Sequence, residues 1–440
     1  MVLIFPRDSF CPAVGISDGE RITGLRLHHS LISRQCNLRA VLAFLFTNSI
    51  HRSDLAQMKI KRVFAKQINF PMGGDLWNPA LAFSAKEVVF VFVETDTDMI
   101  GVGEIWSFYG STRAVVDIIN HDFAPLVRGE DPHFIERIRE RIGGLAPIGT
   151  MEGVMMNALS GLDLALWDLR AKILNVPLYQ LLGGHSDRVY TYASGGLYGR
   201  DKSIDDLASE VRGYCESGFS GVKIKVGGLP QREDLERIAV TRKAVGPDSR
   251  VMIDALHAYS VPEALSLARK AQEHNIYWFE SPVALTDTKG HSIVNKRGGI
   301  PVCANESLHG CRAFKDLIDQ RATEFVHFDL CVCGGITEGL KIAAVAEAHD
   351  LPISLHAANT VCLFSTSIHF AASVPNCDSV ENHQVHRWLS DYAPIATMEL
   401  EDGPYVSPLD TPGHGMEFLT PDFVDRMTKE IEEGLYASKK

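Results

Sequence analysis

Two lysines one residue apart are the first candidates for chemistry in this sequence. Lys223 and Lys225 alternate with three aliphatic residues in the segment 221–227. This period-two alternation predicts a β-strand with one apolar face and one face that carries two ammonium groups. Like charges this close lower each other's pKa, which makes a lysine usable as a base near neutral pH. The segment alone also fits an edge strand whose lysines point into water.

An ionisable residue ends or follows each of six further predicted strands. These residues are 23 to 27 positions apart along the chain: Asp254, Glu280, Glu306, Asp329, His356 and Glu381. A repeat of this length fits one strand plus one helix. In a parallel barrel the carboxyl ends of all strands meet on one face, where the active sites of that fold lie. A single acid after a strand is commonly a helix N-cap, but this succession predicts a functional site.

The order of these residues resembles the mandelate racemase subgroup of the enolase superfamily. Supporting strings are Phe279-Glu280-Ser281-Pro282, Ala304-Asn305-Glu306-Ser307, Gly334-Gly335-Ile336-Thr337 after Asp329, and Gly161–Asp168 leading to Gln180–Gly184. The resemblance extends from about Met58 to Phe418. It implies an α/β fold, a modified TIM barrel of the (β/α)7β type, with an α+β N-terminal capping domain completed by the C-terminal tail. It also implies magnesium and a small carboxylate substrate, an acid sugar.

Three carboxylates on neighbouring strands form the predicted metal site. Asp254, Glu280 and Glu306 are hard oxygen ligands that suit an octahedral ion with open positions for substrate, and Mg²⁺ is the expected cofactor. A substrate carboxylate could bridge this metal and the lysines. Its α-proton would then be acidified, because the negative charge of the enediolate falls on metal and ammonium.

The remaining charged residues are predicted to move protons. Lys225, with Lys223 beside it, would take the α-proton on one side of the substrate. His356 would serve the other side, oriented by Asp329, since a His–Asp pair fixes the tautomer and raises basicity. Glu381 is expected to donate a hydrogen bond to the developing oxyanion in its protonated form, with a strand-end cap as the alternative.

Three further positions are candidates for substrate contact: Trp77, Tyr109 and His257. By resemblance, the loops 71–77 and 106–110 close over the barrel mouth, and the alternative is a pair of ordinary glycine-rich turns. Many relatives have asparagine two residues after the first metal aspartate, where this chain has Leu256. His257 either compensates for that departure or is a surface or core histidine.

The elements that must position these residues divide the chain into four parts. We expect an N-terminal extension that is disordered or loosely packed, an α+β capping domain, the barrel, and a C-terminal segment that packs back on the cap, over residues 1–57, 58–188, 189–394 and 395–440. The extension lacks lysine and is predicted to have no catalytic part. Strands are predicted over Lys59–Ile68 and Glu87–Glu94, and a barrel helix over Asp205–Cys215.

Bulk composition excludes several classes of partner. The 440 residues carry a net charge of −12 without a basic cluster, which argues against nucleic acid and anionic membranes. The longest apolar run, Ala40–Phe46, is too short to span a bilayer. Nine cysteines without a disulfide-like framework indicate a reducing compartment. A cytoplasmic homo-oligomer is the expectation.

Dehydration of a sugar acid, aldonate or aldarate, to a 2-keto-3-deoxy acid is the favoured function, because the subgroup that the chain resembles is rich in such dehydratases. Racemisation or epimerisation and lactone cycloisomerisation use the same residues. A metal-dependent hydrolase would need a His-x-His pair at the end of the first barrel strand, where this chain has Ala193-Ser194-Gly195-Gly196. A non-catalytic metal-binding barrel would be expected to have lost some of the charged residues, and none is missing.

Overall fold

The structure is a computed structural model that describes residues 58–72, 74–106, 112–146, 151–394 and 399–435. The predicted extension, residues 1–57, lies outside these ranges, so the expectation about it stays a prediction. Within the described ranges no helix combines the length and the apolar character needed to cross a membrane.

An α+β domain built on a three-stranded antiparallel sheet opens the described chain. Its strands pair in the order β1-β3-β4, with a short β2 outside this sheet, and their bounds are β1 Ile60–Pro71, β2 Leu76–Trp77, β3 Ala85–Thr95 and β4 Ile100–Trp106. The run Val88–Val93 is fully buried, as expected of β-branched and aromatic residues in a covered strand. Both strands predicted in this domain are therefore found, and β1 continues three residues beyond Ile68.

Helices cover one side of this sheet. They are α1 Thr112–Asp117, continued by a π-helical turn over Ile118–Phe123, then α2 Ala124–Val127, α3 Ile135–Gly143, α4 Val154–Ile173 and α5 Leu178–Leu181. Glycines let α4 lie directly against β4: a Cβ atom placed on Gly103 would be 2.1 Å from the carbonyl oxygen of Gly161. This backbone-to-backbone contact fixes β4, whose last residue is Trp106.

Eight parallel strands close into a barrel. They are β5 Val189–Ser194, β7 Gly221–Lys225, β8 Arg250–Asp254, β9 Ile276–Glu280, β10 Val302–Ala304, β11 Phe325–Phe328, β12 Ile353–Leu355 and β13 Cys377–His383. Pairing of β13 with β5 completes the ring. A short strand β6, Tyr198–Gly199, pairs with β2 and ties the capping domain to the barrel.

One helix follows each of the first seven barrel strands. They are α6 Ile204–Glu216, α7 Gln231–Val245, α8 Val261–Ala271, α9 Thr288–Gly298, α10 Gly310–Asp319, α11 Gly335–Glu347 and α12 Val361–Ala371, with short 3₁₀ turns at Gln272–His274 and Ser390–Tyr392. Sequence signals explain some starts: Ser203 and Asp206 form a capping box at α6. The predicted (β/α)7β barrel is confirmed.

The C-terminal segment returns to the capping domain. Strand β14, Tyr405–Val406, pairs antiparallel with β5. Helix α13, Pro421–Glu432, places Phe423 and Met427 in the apolar cluster that contains Phe70 of β1. The expected completion of the cap by the tail is confirmed.

Candidate active site

A cavity lies between the carboxyl ends of the barrel strands and the capping domain. Its empty volume is about 720 Å³, including the part open to solvent. Barrel residues contribute its charged side: Lys225, Asp254, Glu280, Glu306 and His356. The repeat of ionisable residues in the sequence thus does converge on one site.

Strand register explains how the first charged residues meet. Lys225 pairs with Asp254 across β7 and β8, and Asp254 pairs with Glu280 across β8 and β9. These three residues end their strands, so their side chains stand next to one another on the same edge of the barrel.

Both lysines are buried, which excludes the solvated edge strand. Lys223 is 0% exposed, and its Nζ lies 2.7 Å from Glu280 Oε1 and 3.0 Å from Glu381 Oε1. Burial alone would lower the pKa of Lys223, but these two carboxylates hold it well above its ordinary value. The expected mutual lowering of the pKa is therefore wrong for Lys223. Lys225 donates a hydrogen bond to Asp254 and faces the cavity.

The three predicted metal carboxylates are buried. Burial raises the pKa of Asp254 above its ordinary value, whereas the pKa values of Glu280 and Glu306 are lowered. Burial opposes ionisation of Glu280, yet Lys223 and His327 bring its pKa down to about 2. Glu306 also has a pKa well below its usual range, because His257 outweighs the effect of burial. Ser281 Oγ donates to Glu306 Oε2 at 2.8 Å, which holds that carboxylate in place.

His327, which was not predicted from the sequence as a site residue, lies beside two of these carboxylates. Ligand atoms of Glu280, Glu306 and His327 lie within 4.8 Å of one another. His327 Nδ1 is 3.1 Å from the carbonyl oxygen of Ser354, so Nδ1–H donates there and a neutral ring has its Nε2 lone pair free. Nε2 lies 3.5 Å from Glu280 Oε1. This buried set of oxygen and nitrogen donors fits a divalent cation.

Asp254 is not part of that three-residue group, and Lys225 engages its Oδ2. Its role as a metal ligand stays a prediction. A signal for His327 did exist in the sequence: it lies two residues before Asp329, so in a strand the two side chains point to the same face.

His356 and Asp329 form the expected dyad. His356 Nδ1 lies 2.6 Å from Asp329 Oδ2, and the N–H of Cys331 donates to Asp329 Oδ1 at 2.7 Å. Asp329 is thus fixed and engages Nδ1 of the ring, which leaves Nε2 outside this contact. Burial would lower the pKa of His356, but Glu381 and Asp329 raise it above the usual value.

The structure argues against a protonated Glu381. Burial favours the neutral acid, but Lys223 and His356 hold the pKa of Glu381 well below its usual range. Its side chain is fully buried, and among the described residues it is not part of the cavity wall. Strand β13 also continues past it to His383, so a strand-end cap is not its role. Glu381 is an ionised partner of Lys223.

The residues predicted to contact substrate, Trp77, His257 and Tyr109, have different outcomes. Trp77 stacks on Tyr198 with ring centroids 4.3 Å apart, and in the described structure it does not line the cavity. His257 lies behind Glu306, with Nε2 3.5 Å from Glu306 Oε1, and its pKa is raised to about 9; burial opposes this shift, and hydrogen bonding to Glu306 drives it. Leu256 does line the cavity. Tyr109 lies outside the described residues.

Several cavity residues were not predicted as site residues, among them Lys86, Trp106, His383 and His386. The rings of His383 and His386 are 4.4 Å apart, and His383 Nδ1 accepts the N–H of His386 at 3.1 Å. Trp106 packs 5.2 Å from the His356 ring. Lys86 comes from strand β3, outside the barrel repeat, so no spacing in the sequence points to it.

Comparison with known families covers both parts of the molecule. Residues 206–422 match the family described as "Enolase C-terminal domain-like". Residues 79–183 match "Mandelate racemase / muconate lactonizing enzyme, N-terminal domain". Barrel, cap and charged cavity are together those of an enolase-superfamily enzyme. The chain belongs to the mandelate racemase/muconate lactonizing enzyme family of that superfamily.

Individual relatives have two kinds of activity. The chain is 31% identical to arabinonate dehydratase of Saccharolobus solfataricus over 76% of this chain and 89% of the relative. It is 32% identical to D-galactarolactone cycloisomerase of Agrobacterium fabrum over 72% and 83%, and 32% identical to L-talarate/galactarate dehydratase of Salmonella typhimurium over 64% and 68%. Relatives are thus carbon–oxygen lyases and isomerases.

A solved structure shares the fold. It is a racemase from Streptomyces coelicolor A3(2) with bound magnesium, 27% identical, with a TM-score of 0.75 over 81% of this chain and 96% of the other. The expected superfamily and fold class are confirmed.

Proposed function

We propose that this enzyme is a magnesium-dependent dehydratase that converts a sugar acid to its 2-keto-3-deoxy acid. One observation carries the proposal: Lys225 and the His356–Asp329 dyad border the same cavity as the buried carboxylates Glu280 and Glu306. Two proton-transfer groups beside a cluster of acids are what α-proton abstraction followed by loss of a β-hydroxyl requires.

Glu280 and Glu306 would hold the magnesium ion, with Asp254 and His327 as the neighbouring donors. When bound, the ion supplies electrostatic stabilisation for negative charge that develops on the substrate carboxylate. The similar racemase from Streptomyces coelicolor has bound magnesium, which supports this choice of metal.

Lys225 and His356 divide the proton transfers. In one assignment the Lys225 amine takes the α-proton, and the C–H electron pair enters an enediolate. His356 Nε2–H then donates its proton to the β-hydroxyl, the C–O bond breaks, and water leaves. The enol product tautomerises to the 2-keto-3-deoxy acid. A substrate of the opposite α-configuration exchanges the two roles, and the dyad geometry permits both.

Two groups of relatives bear on the choice of reaction. Arabinonate dehydratase and L-talarate/galactarate dehydratase, both similar to this chain, favour dehydration. D-galactarolactone cycloisomerase and the racemase structure favour isomerisation as the second candidate. Both reactions begin with the same proton abstraction.

The test uses deuterated water and a panel of aldonates and aldarates with Mg²⁺. Wild-type enzyme is expected to release a 2-keto-3-deoxy acid, detected as its semicarbazone. The variant that lacks the base, Lys225→Met for one α-configuration, should neither exchange the α-hydrogen nor form product. The variant that lacks the acid, His356→Asn, should exchange the α-hydrogen without losing water.

Matched controls are Lys429→Met and His121→Asn, because both side chains are largely exposed; they should turn over like wild type. Inversion or exchange at the α-carbon of the best substrate without any loss of water would replace dehydration by racemisation.

A further inference from the structure

A buried lysine enters the cavity from the capping domain. Lys86 is the second residue of β3, its side chain is 8% exposed, and it lines the cavity. The other cavity lysine, Lys225, and the acids Asp254, Glu280 and Glu306 come from the barrel, whereas Glu87 comes from β3 of the cap. Lys86 therefore places a positive charge on the cap side of the cavity.

The ammonium group of Lys86 lacks a carboxylate partner. Lys223 and Lys225 each pair with an acid, whereas no described carboxylate lies within 4.0 Å of Lys86 Nζ. Its contact is the ring of Trp106, with Nζ 5.3 Å from the centroid. Burial lowers the pKa of Lys86 to about 8, so the group is still mostly charged at pH 7.

Two carboxylates of the capping domain, Glu104 and Glu87, already accept hydrogen bonds from other residues. Glu104, the largest favourable influence on Lys86, accepts hydrogen bonds from Thr360 and Leu363. Glu87 also lines the cavity, but the hydroxyl of Thr112 donates to it. A buried cation without a counter-charge is unfavourable, and an anion that enters the cavity would relieve this.

A second donor lies on the same side of the cavity. Asn78 lines the cavity, and its Oδ1 accepts the N–H groups of Ala80 and Leu81 at 2.9 and 3.0 Å. The amide NH₂ of Asn78 is thereby left as a donor. Around these groups Phe83 and Trp106 provide an apolar enclosure, in which a charged hydrogen bond is strengthened.

We propose that Lys86 binds a second carboxylate of the substrate, at the end remote from the metal ligands, so that the substrate is a sugar diacid rather than a monoacid. We assign the first carboxylate to the metal, where α-proton abstraction requires it, and the unpaired ammonium group of Lys86 to a second carboxylate. This inference rests on the proposed function and specifies its substrate class as aldarates. Lys86 is a specificity residue that contacts substrate but takes no part in proton transfer.

The test compares substrates that differ only at the terminal carbon. Galactarate and D-glucarate are paired with galactonate and D-gluconate, and kcat and KM are measured for each with Mg²⁺. Wild type is expected to prefer the diacid. Lys86→Met should lower kcat/KM for the best diacid by about 100-fold, mainly through KM, and should change the monoacid value by less than about threefold. Lys86→Arg should recover part of the diacid activity.

Lys61→Met is the matched control, since Lys61 is an exposed lysine of the same domain. Preference of wild type for the monoacid would overturn the proposal. So would an equal loss of kcat on both substrates in Lys86→Met, which would mean a catalytic or structural role. Thermal unfolding of Lys86→Met and Lys86→Arg identifies variants that fail to fold.

Binding separates this proposal from the proposed function. If none of the four acids yields a 2-keto-3-deoxy product, the proposed dehydration of these acids is wrong. Calorimetric titration of the acids in the presence of Mg²⁺ still tests whether Lys86 binds a second carboxylate. Tighter binding of diacids than monoacids, abolished in Lys86→Met, supports the assignment. Equal binding of both classes by wild type overturns it.

Discussion

The two walls of the active-site cavity differ in how their charges are balanced. On the barrel wall, cations and anions pair closely: Lys223 with Glu280, Lys225 with Asp254, and His356 with Asp329. On the capping wall, Lys86 faces Trp106 and Phe83 without a paired carboxylate in the described structure. A balanced network can hold proton-transfer groups in defined states, whereas an unbalanced charge selects a ligand that completes it.

This contrast implies that reaction and substrate selection are assigned to separate parts of the chain. In the proposed function, barrel residues that end or follow successive strands transfer protons to and from any bound acid. In the proposal for Lys86, residues of the cap decide which acid fits. Substitutions on the barrel wall should therefore change the rate for all substrates, and substitutions on the cap should change the rate for some of them.

The barrel wall should be the most sensitive to substitution. Glu280→Gln should lower kcat/KM by about 1,000-fold or more for every substrate, because it weakens the binding of the metal ion. That ion stabilises the developing negative charge by several kcal/mol. Calorimetric titration with Mg²⁺ should show weakened binding in parallel. Glu430→Gln, a surface substitution in α13, is the control. Normal turnover by Glu280→Gln in chelator-treated protein would remove Glu280 from the metal site.

A substitution in the contact between β4 and α4 is expected to destabilise the capping domain without changing a residue of the cavity. Gly103→Ala should destabilise the protein by about 3 kcal/mol, because the new methyl group would collide with the backbone of α4 at Gly161. Thermal or urea unfolding measures this. In Gly143→Ala the added methyl meets nothing within 4 Å, and a change of less than about 1 kcal/mol is expected. Equal stability of the two variants would contradict the close packing of β4 on α4.

The pH dependence of kcat tests the charge pairing of His356 with Asp329 on the barrel wall. The pKa of His356 is raised above its ordinary value, so the ring is protonated below that raised pKa and loses its proton as the pH rises through it. If His356 is the acid for the leaving hydroxyl, kcat falls on the alkaline side. Asp329→Asn should move this fall to lower pH, since it removes a carboxylate that favours the charged ring. If Asp329→Asn instead shifts a fall on the acidic side, His356 is the base rather than the acid.

A weaker effect is expected where the cap docks on the barrel. Trp77→Leu removes the stacking of Trp77 on Tyr198 between β2 and β6, a contact typically worth about 1 kcal/mol. We expect KM to rise about threefold with little change in kcat. Steady-state kinetics measures both parameters. A large loss of kcat would mean that this contact also positions the reacting groups.

The repeat made the barrel and the positions of its strand-end residues predictable from sequence. Asp254 and Glu280 end strands where expected, and Asp329 and His356 follow theirs directly, because a strand–helix unit brings each strand end to the same face. The charge states were less predictable. The pKa of Lys223 is raised rather than lowered, since it depends on Glu381, a residue far away in sequence that only barrel closure brings near.

On the capping wall, no sequence pattern predicted which residues line the cavity. Lys86 stands in a strand whose following residues, Val88–Val93, are all apolar, and alternation there marks no functional face. His327 was missed because the strand-end rule selected only the last ionisable residue. Tyr109 lies outside the described residues, and its role stays a prediction.

Glu104, at the cap strand β4, accepts hydrogen bonds from Thr360 N at 3.0 Å, Thr360 Oγ1 at 2.7 Å and Leu363 N at 2.8 Å. Thr360 is the N-cap residue of the barrel helix α12, which begins five residues after His356. The capping domain thus supplies the acceptor for the N-terminus of a barrel helix that follows His356. Cap and barrel are not interchangeable modules: a chimera that takes its cap from a relative must retain an acceptor at position 104, or the loop after His356 loses its anchor.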